Sequence, residues 1–265
     1  MSAGKSMTLR VGTWNLGRGE PRWRQPHQAA HISTQADLWL LTEVPSRLVI
    51  GSGQPSFSKL RPGELNEHWA AITFRWPFEV VTAVHPTLAM ARIYHPQGAF
   101  LVASSVFPWR TAGISWPTGD GRSFAERCAR TLAAHSAEIG KASDGLPIVW
   151  GGDFNQALSG RERAGSDLGR AALLDAFTRL GLRAVTLDSN GQDAQHRSID
   201  HIAIPSGWGS RAVKVQRPQA EHQLLSEHPS YVVGVERPAA AVTPPSDRSG
   251  SLQLLPRRRG QLVQV

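Results

Sequence analysis

Five places in this 265-residue chain set a polar residue at the end of, or inside, an apolar run. Asn15 ends Val11-Gly12-Thr13-Trp14-Asn15, and Glu43 ends Leu38-Trp39-Leu40-Leu41-Thr42-Glu43. Asp153 and Asn155 follow Ile148-Val149-Trp150-Gly151-Gly152. Asp200 and His201 interrupt Ser198-Ile199-Asp200-His201-Ile202-Ala203-Ile204, and Glu227-His228 precede Pro229 and the last apolar run. A polar group at a strand end is held rigidly, yet it faces the sheet edge, where ligands can reach it. Carboxylate and amide oxygens suit a hard divalent cation, and an amide NH2 can donate to an anionic oxygen. A histidine beside an acid can exchange a proton near neutrality. Each position taken alone has a plainer reading. Asn15 is a turn residue, Glu43 a surface charge, Asp153 a cap or Asx-turn, His228 a loop histidine.

These residues need strands and helices to bring them together. Strands are expected at Leu9–Leu16, Leu38–Val44, Ala70–Phe74, Val80–Val84, Ala99–Val106, Ile148–Gly151, Ala184–Leu187, Ile199–Ile204, Val213–Val215 and Tyr231–Val235. Several are continuously apolar, as befits strands covered on both faces. A first helix is expected after Pro26, carrying Ala30 and Ile32. A second starts at Ser123, with Glu126 completing a capping box and Phe124, Cys128, Leu132 and Ile139 as its apolar stripe. A third runs from an Asp167 cap to Leu180 and stops at Gly181, with Leu173, Phe177 and Leu180 inward. Cys128 then reads as a small buried hydrophobe.

Bulk composition narrows the class. Apolar residues make up 40% of the chain, enough for a real core. No run approaches the ~18 apolar residues of a membrane span, and Met1–Met7 has no apolar stretch of a signal peptide. The single cysteine excludes an internal disulfide and fits a reducing cytoplasm. The formal charge is +8, but half of it lies after Glu236, in five arginines against Asp247. A flexible N-terminus at 1–8, one folded unit at 9–236 and a basic disordered tail at 237–265 are the expected divisions. Leu252, Leu254 and Leu255 are the tail's only candidate docking residues. Nothing in the sequence points to a protein partner.

Trp14-Asn15, Thr42-Glu43, Gly151-Gly152-Asp153-Phe154-Asn155, Ile199-Asp200-His201-Ile202 and Glu227-His228 occur in that order. With them the chain resembles the endonuclease/exonuclease/phosphatase superfamily, from Leu9 to Val235. That superfamily includes deoxyribonuclease I, abasic-site endonucleases, inositol polyphosphate 5-phosphatases and bacterial sphingomyelinases. The resemblance implies a deoxyribonuclease I-like α/β fold: a four-layered sandwich of two packed mixed β-sheets flanked by helices. It implies a phosphoesterase that uses Mg2+ or Mn2+. Glu43 becomes the main metal ligand, with Asn15 in the metal shell or on its water. Asp153 orients or activates the attacking water, and Asn155 donates to a phosphate oxygen. His228 contacts the phosphate or acts as a base, held in one tautomer by Glu227. Asp200 is a supporting carboxylate, and its neighbour His201, facing the other way along a strand, is structural.

Two departures from the family pattern stand out. Where many members carry Thr-His-Leu, this chain reads Val102-Ala103-Ser104-Ser105-Val106-Phe107-Pro108-Trp109-Arg110, with Val106 at the histidine. Asp200 should thereby lose its partner, and Arg110 or a water should substitute as a phosphate contact. Glu227 stands where most members have aspartate. Both changes point away from a deoxyribonuclease. The substrate classes left are nucleic acid, a small phosphodiester and a phosphomonoester. Arg18, Arg22 and Arg24, near Trp23, mix charge with an aromatic as nucleic-acid binding requires. The second expectation is a binding module that keeps the fold without turnover.

Overall fold

The computed structural model describes residues 8–19, 21–50, 55–61, 66–113, 116–117, 123–160, 164–190 and 197–238. Its strands and helices, in chain order, are β1 Thr8–Asn15, α1 Arg24–Gln35, β2 Leu38–Pro45, β3 Ser56–Phe57, β4 Glu67–Phe74, β5 Phe78–Val81, β6 Leu88–His95 and β7 Gly98–Val106. Then follow α2 Phe124–Ser143, β8 Ile148–Asp153, α3 Asp167–Arg179, β9 Leu182–Ala184, β10 Asp200–Pro205, β11 Gly209–Ser210, β12 Lys214–Gln216, β13 Gln219–Ala220, β14 Gln223–Leu224 and β15 Ser230–Glu236.

Strand faces decide the architecture. β1, β2, β4 and β15 each bury residues on both faces, so each needs a layer on either side. They form one sheet in the order β11-β15-β1-β2-β4-β3, with β12 also paired to β15. A second sheet runs β5-β6-β7-β8-β10-β9. Both are mixed: β1–β2 and β7–β8 are parallel, and the other pairs are antiparallel. Val11, Leu40, Ile72, Val102, Val149, Ile202 and Val233 meet between the sheets as the central core. Ile32 of α1 packs on the outer face of the first sheet with Trp14, Trp39 and Leu41. Leu132 and Ile139 of α2, with Leu173 and Phe177 of α3, cover the second sheet. This is the four-layered sandwich expected.

Local signals account for the helices. Ser123 Oγ accepts from the Glu126 amide while the Glu126 carboxylate accepts from the Ser123 amide, so the capping box is complete. The cap of α3 is Ser166 rather than Asp167: its Oγ accepts from the Gly169 amide at 3.1 Å. The sequence pattern omits β6. Its Leu88-Ala-Met-Ala-Arg stretch is made of good helix formers, and antiparallel pairing with β5 and, through a tight hairpin, with β7 makes it a strand.

The ends also differ from expectation. Thr8 pairs with Glu236, so it belongs to β1. Arg237 belongs to the body: it is 7% exposed. Its guanidinium lies over Phe100 and Trp208, and its Nη2 donates to the carbonyls of Gln97 and Gly98. The rest of the expected tail, with Leu252, Leu254 and Leu255, lies outside the described residues, as do residues 1–7. Among the described residues, no helix is long and apolar enough to cross a membrane.

Two glycines let β8 fit between its neighbours. A Cβ at Gly151 would sit 2.4 Å from the His201 carbonyl oxygen of β10. One at Gly152 would sit 2.2 Å from the Ser105 carbonyl oxygen of β7, at a φ of +126° that side chains avoid. The close approach these glycines allow is therefore to adjacent strands. Gly152→Ala should destabilise the fold by about 3 kcal/mol or more, from overpacking plus backbone strain. That corresponds to a melting temperature lower by roughly 10 °C in thermal denaturation.

Candidate active site

Strand register gathers the polar residues at one edge. Parallel pairing of β1 with β2 sets Asn15 beside Thr42, one residue before Glu43. Parallel pairing of β7 with β8 sets Val106 beside Asp153. β10 runs antiparallel to β8, so its first residue, Asp200, lies opposite Asp153. β15 runs antiparallel to β1, so the segment just before it, with His228, arrives at the same edge. Asn15, Arg18, Glu43, Arg61, Trp109, Asp153, Asn155 and His228 line a pocket of about 300 Å³ there.

Two hydrogen bonds tie the sheets together at this edge. Asn15 Nδ2 donates to Asp153 Oδ2 at 3.0 Å, and its Oδ1 accepts from the Gly17 amide at 2.9 Å. His228 Nδ1 lies 2.8 Å from Asp200 Oδ2. The histidine's backbone is fixed as well: its amide donates to Ser226 Oγ, and its carbonyl accepts from Trp14 Nε1. Ser226 Oγ in turn donates to the Asn15 carbonyl at 2.6 Å.

The partner of His228 is thus Asp200, and the expected roles of two acids are corrected. Glu227 is exposed, one residue from the histidine it was expected to hold, whereas Asp200 is 1% exposed and reaches the ring from the other sheet. Asp200 has not lost its partner through Val106. Val106 instead packs with Trp69, Ala112 and Trp116 in a small apolar cluster. Arg110 is also corrected. It donates to the Gly165 carbonyl and lies over Phe124, away from the pocket.

Asn155 does not continue the strand. Its φ is +47°, its amide donates to Asp153 Oδ1 at 2.8 Å, and its Nδ2 donates to the Phe107 carbonyl at 3.0 Å. This Asx-turn brings the amide to the pocket wall with one Nδ2 hydrogen to spare. His201 faces the opposite side of β10, as expected. Its Nε2 meets the Gln156 carbonyl, so Nε2 carries the proton and Nδ1 accepts from Thr186 Oγ1. Burial lowers its pKa to about 4 and keeps it neutral.

Sequence reasoning missed Arg61. It is 6% exposed, its guanidinium lies 3.9 Å from the Trp69 ring centre, and its Nη1 is 3.6 Å from Glu43 Oε1. It sits beside a loop-like stretch with no pattern to distinguish it. Of the Arg18, Arg22 and Arg24 group, Arg18 lines the pocket and Arg22 lines an adjoining hollow with Gln25, Arg47 and Glu67. Arg24 lies over the half-exposed Trp23.

The electrostatics follow from crowding. Asp153 and Asp200 face each other across a strand pair inside the protein, an unfavourable place for like charges. Burial first, and then the Asp200 charge, raise the Asp153 pKa to about 7. Glu43 is also raised, chiefly by burial, while Arg61 and His228 oppose the shift. Burial alone would lower His228, but the charge and hydrogen bond of Asp200, with Asp153 and Glu43, carry it up to about 10. At neutral pH the pocket therefore holds an imidazolium beside carboxylates that are under strain to ionise.

This donor set suits a hard cation. Glu43 and Asp153 offer carboxylate oxygens at a buried edge, and Asn15 Oδ1 keeps one lone pair beyond its bond to Gly17. Asp153, Asp200 and His228 also have ligand atoms within 4.8 Å of one another. The hydrogen bond between Asp200 Oδ2 and His228 Nδ1 occupies one polar atom of each residue. A larger apolar groove of about 330 Å³ between α2 and α3, lined by Cys128, Leu132, Leu168 and Leu173, holds no converging charges.

No protein-family model matches the sequence, and a search of curated proteins finds no match. Solved structures do match. An endonuclease/exonuclease/phosphatase from Bacteroides vulgatus superposes with a TM-score of 0.63 at 14% identity, over 88% of this chain and 100% of that one. The endonuclease domain of TRAS1, a telomere-specific non-LTR retrotransposon, gives 0.58 at 15%, over 87% and 99%. The Bacteroides thetaiotaomicron mannosyl-6-phosphatase gives 0.61 at 14%, over 86% and 100%. The chain therefore has the deoxyribonuclease I-like fold that its motifs led one to expect.

Asp200 can be tested as the support of His228. In Asp200→Asn the His228 pKa should fall from about 10 to the ordinary value near 6.5 or below, read by NMR titration of the ring. Because the native value is raised, the pair's contribution to stability is complete below pH ~6.5 and is lost as pH rises toward 10. The melting-temperature gap between native protein and variant should accordingly narrow from pH 6 to pH 10.

Proposed function

We propose that this chain is a divalent-metal-dependent phosphoesterase that hydrolyses a phosphodiester or phosphomonoester by attack of water. The observation that carries this reading is the buried Asp153. Burial, and then its neighbour Asp200, raise it to about 7, within one pocket with Glu43 and a charged His228. A general base works best when its pKa is close to the working pH. Asp153 meets that condition, and Asn15 and the Asn155 amide fix its two oxygens in place.

Each side chain has a part. Glu43, with Asn15 beside it, would hold Mg2+ or Mn2+. When bound, that cation offsets phosphate charge and lowers the pKa of coordinated water. Asp153 orients the attacking water and takes its proton. Asn155 gives its free Nδ2 hydrogen to a phosphate oxygen. His228 has Nδ1 committed to Asp200, so Nε2 is its nitrogen for substrate. As an imidazolium it donates there and stabilises the charge that grows on the phosphate oxygens. We therefore read His228 as a donor rather than a base.

The substrate is an ester of phosphate, with nucleic acid among its classes. Arg18 adds positive charge at the pocket, and Arg22 and Arg47 line a second hollow that includes the neighbouring Gly19, as a polyanion would use. The neighbours in fold are described as an endonuclease domain in one case and a mannosyl-6-phosphatase in another. The lone Cys128 suits a reducing cytoplasm, where we place the protein.

The test is a panel of bis-aryl phosphate, aryl phosphate, plasmid, abasic-site duplex, single-stranded RNA and phosphoinositides, each with Mg2+, Mn2+ or chelator. Turnover should require the metal. It should drop by on the order of 10²–10⁴ in Asp153→Ala, the usual worth of a positioned base, and comparably in Glu43→Gln. Activity unchanged in both variants would refute the site. Absence of turnover on every substrate would favour a binding module of the same fold.

A further inference from the structure

Arg61 is the one buried cation of the pocket that the reading above leaves without a task. It follows β3 and is anchored by its own backbone amide, which donates to the Glu67 carbonyl at 2.9 Å. Its guanidinium is stacked over Trp69 at 3.9 Å and lies 5.8 Å from the ring centre of Trp109. Trp69 is 1% exposed and packs with Val106, Ala112 and Trp116, so the platform is rigid. Stacking on an indole face holds a guanidinium in one orientation.

Its polar environment is incomplete. The side chain is 5% exposed, and among the described residues Nη1 makes no hydrogen bond. The nearest acid, Glu43 Oε1 at 3.6 Å, is in ion-pair range but too far to accept a hydrogen bond. A buried charged donor left without an acceptor costs stability. An anion in the pocket would remove that cost by accepting from Nη1, and a planar guanidinium fork matches phosphate oxygens.

We propose that Arg61 is a ligand of the substrate phosphate and that it fits this pocket to a phosphomonoester. The proposal rests on the phosphoester reading of the site. The reason is a count of donors. Arg61, Asn155 and His228 each present a hydrogen to the pocket, and Glu43 marks a cation locus. A phosphodiester has only two unesterified oxygens to share among them. A phosphomonoester has three and carries a second negative charge. Arg61 stacks on Trp69, which packs with Val106, the position aligned with the family's histidine. A stacked guanidinium there supplies a permanent charge that the valine cannot.

The experiment measures binding and does not depend on turnover. Phenylphosphonate, a dianion, and its monomethyl ester, a monoanion, are titrated by calorimetry into the Mg2+-loaded protein at pH 8. Native protein should prefer the dianion by tenfold or more. Arg61→Met, which keeps the stem but removes the charge, should abolish that preference. Arg61→Lys, which keeps the charge without the fork, should retain part of it. Thermal melts of both variants show whether the fold is intact, and the lysine variant decides the matter if the methionine one unfolds. A folded variant that keeps the native preference overturns the proposal, as does native protein that binds both ligands equally. If the preference behaves as stated while the hydrolysis panel is blank, the phosphate assignment of Arg61 stands and the enzymatic reading falls.

Discussion

The site depends on two polar contacts that cross between the sheets: Asn15 to Asp153, and His228 to Asp200. The first joins a strand of one sheet to a strand of the other, and the second joins the segment before β15 to β10. Neither could form unless the apolar core between the sheets set their edges in register. In return, the core must tolerate two carboxylates opposite each other on β8 and β10. That is an unfavourable arrangement by any measure of like charges in a protein interior. The imidazolium of His228 offsets part of it, and burial together with the remaining repulsion raises the pKa of Asp153. Stability given up at one edge is what a working site requires.

Much of this was legible in the sequence. Apolar runs ending in Asn15, Glu43 and Asp153 marked the strands, because strands covered on both faces carry little else. The capping box at Ser123 and the stop at Gly181 marked helix ends, because those signals are local. β6 was illegible for the opposite reason: its residues favour helix, and only β7 and β5 make it a strand. Tertiary pairing also decided which acid serves His228. Glu227 is adjacent in sequence, but adjacency along an extended chain turns side chains apart. Asp200, 28 positions away, arrives through the strand order. Arg61 was invisible because nothing local marks it. Its significance comes from Trp69, which the turn back into β4 sets beneath it, and from Trp109, which is distant in sequence.

The valine at position 106 changes meaning in this light. As a replacement for histidine it reads as a deletion of chemistry. In place, it is part of an apolar cluster with Trp69 and Trp116 that supports a stacked guanidinium. That packing carries a residue whose charge does not vary with pH. The pocket keeps a cation on that side, from a different stretch of chain.

The glycines of β8 have a consequence for how such a protein can change over time. In Gly151-Gly152-Asp153-Phe154-Asn155, the two glycines and the buried Phe154 answer to neighbouring strands and to the rings of Trp150 and Phe177. Only Asp153 and Asn155 answer to the pocket. Selection for a new substrate could rewrite the rim freely, but three of these five positions would stay fixed by the architecture alone. The run would then outlast any particular chemistry, so two proteins sharing it would share ancestry or architecture more securely than they shared a reaction.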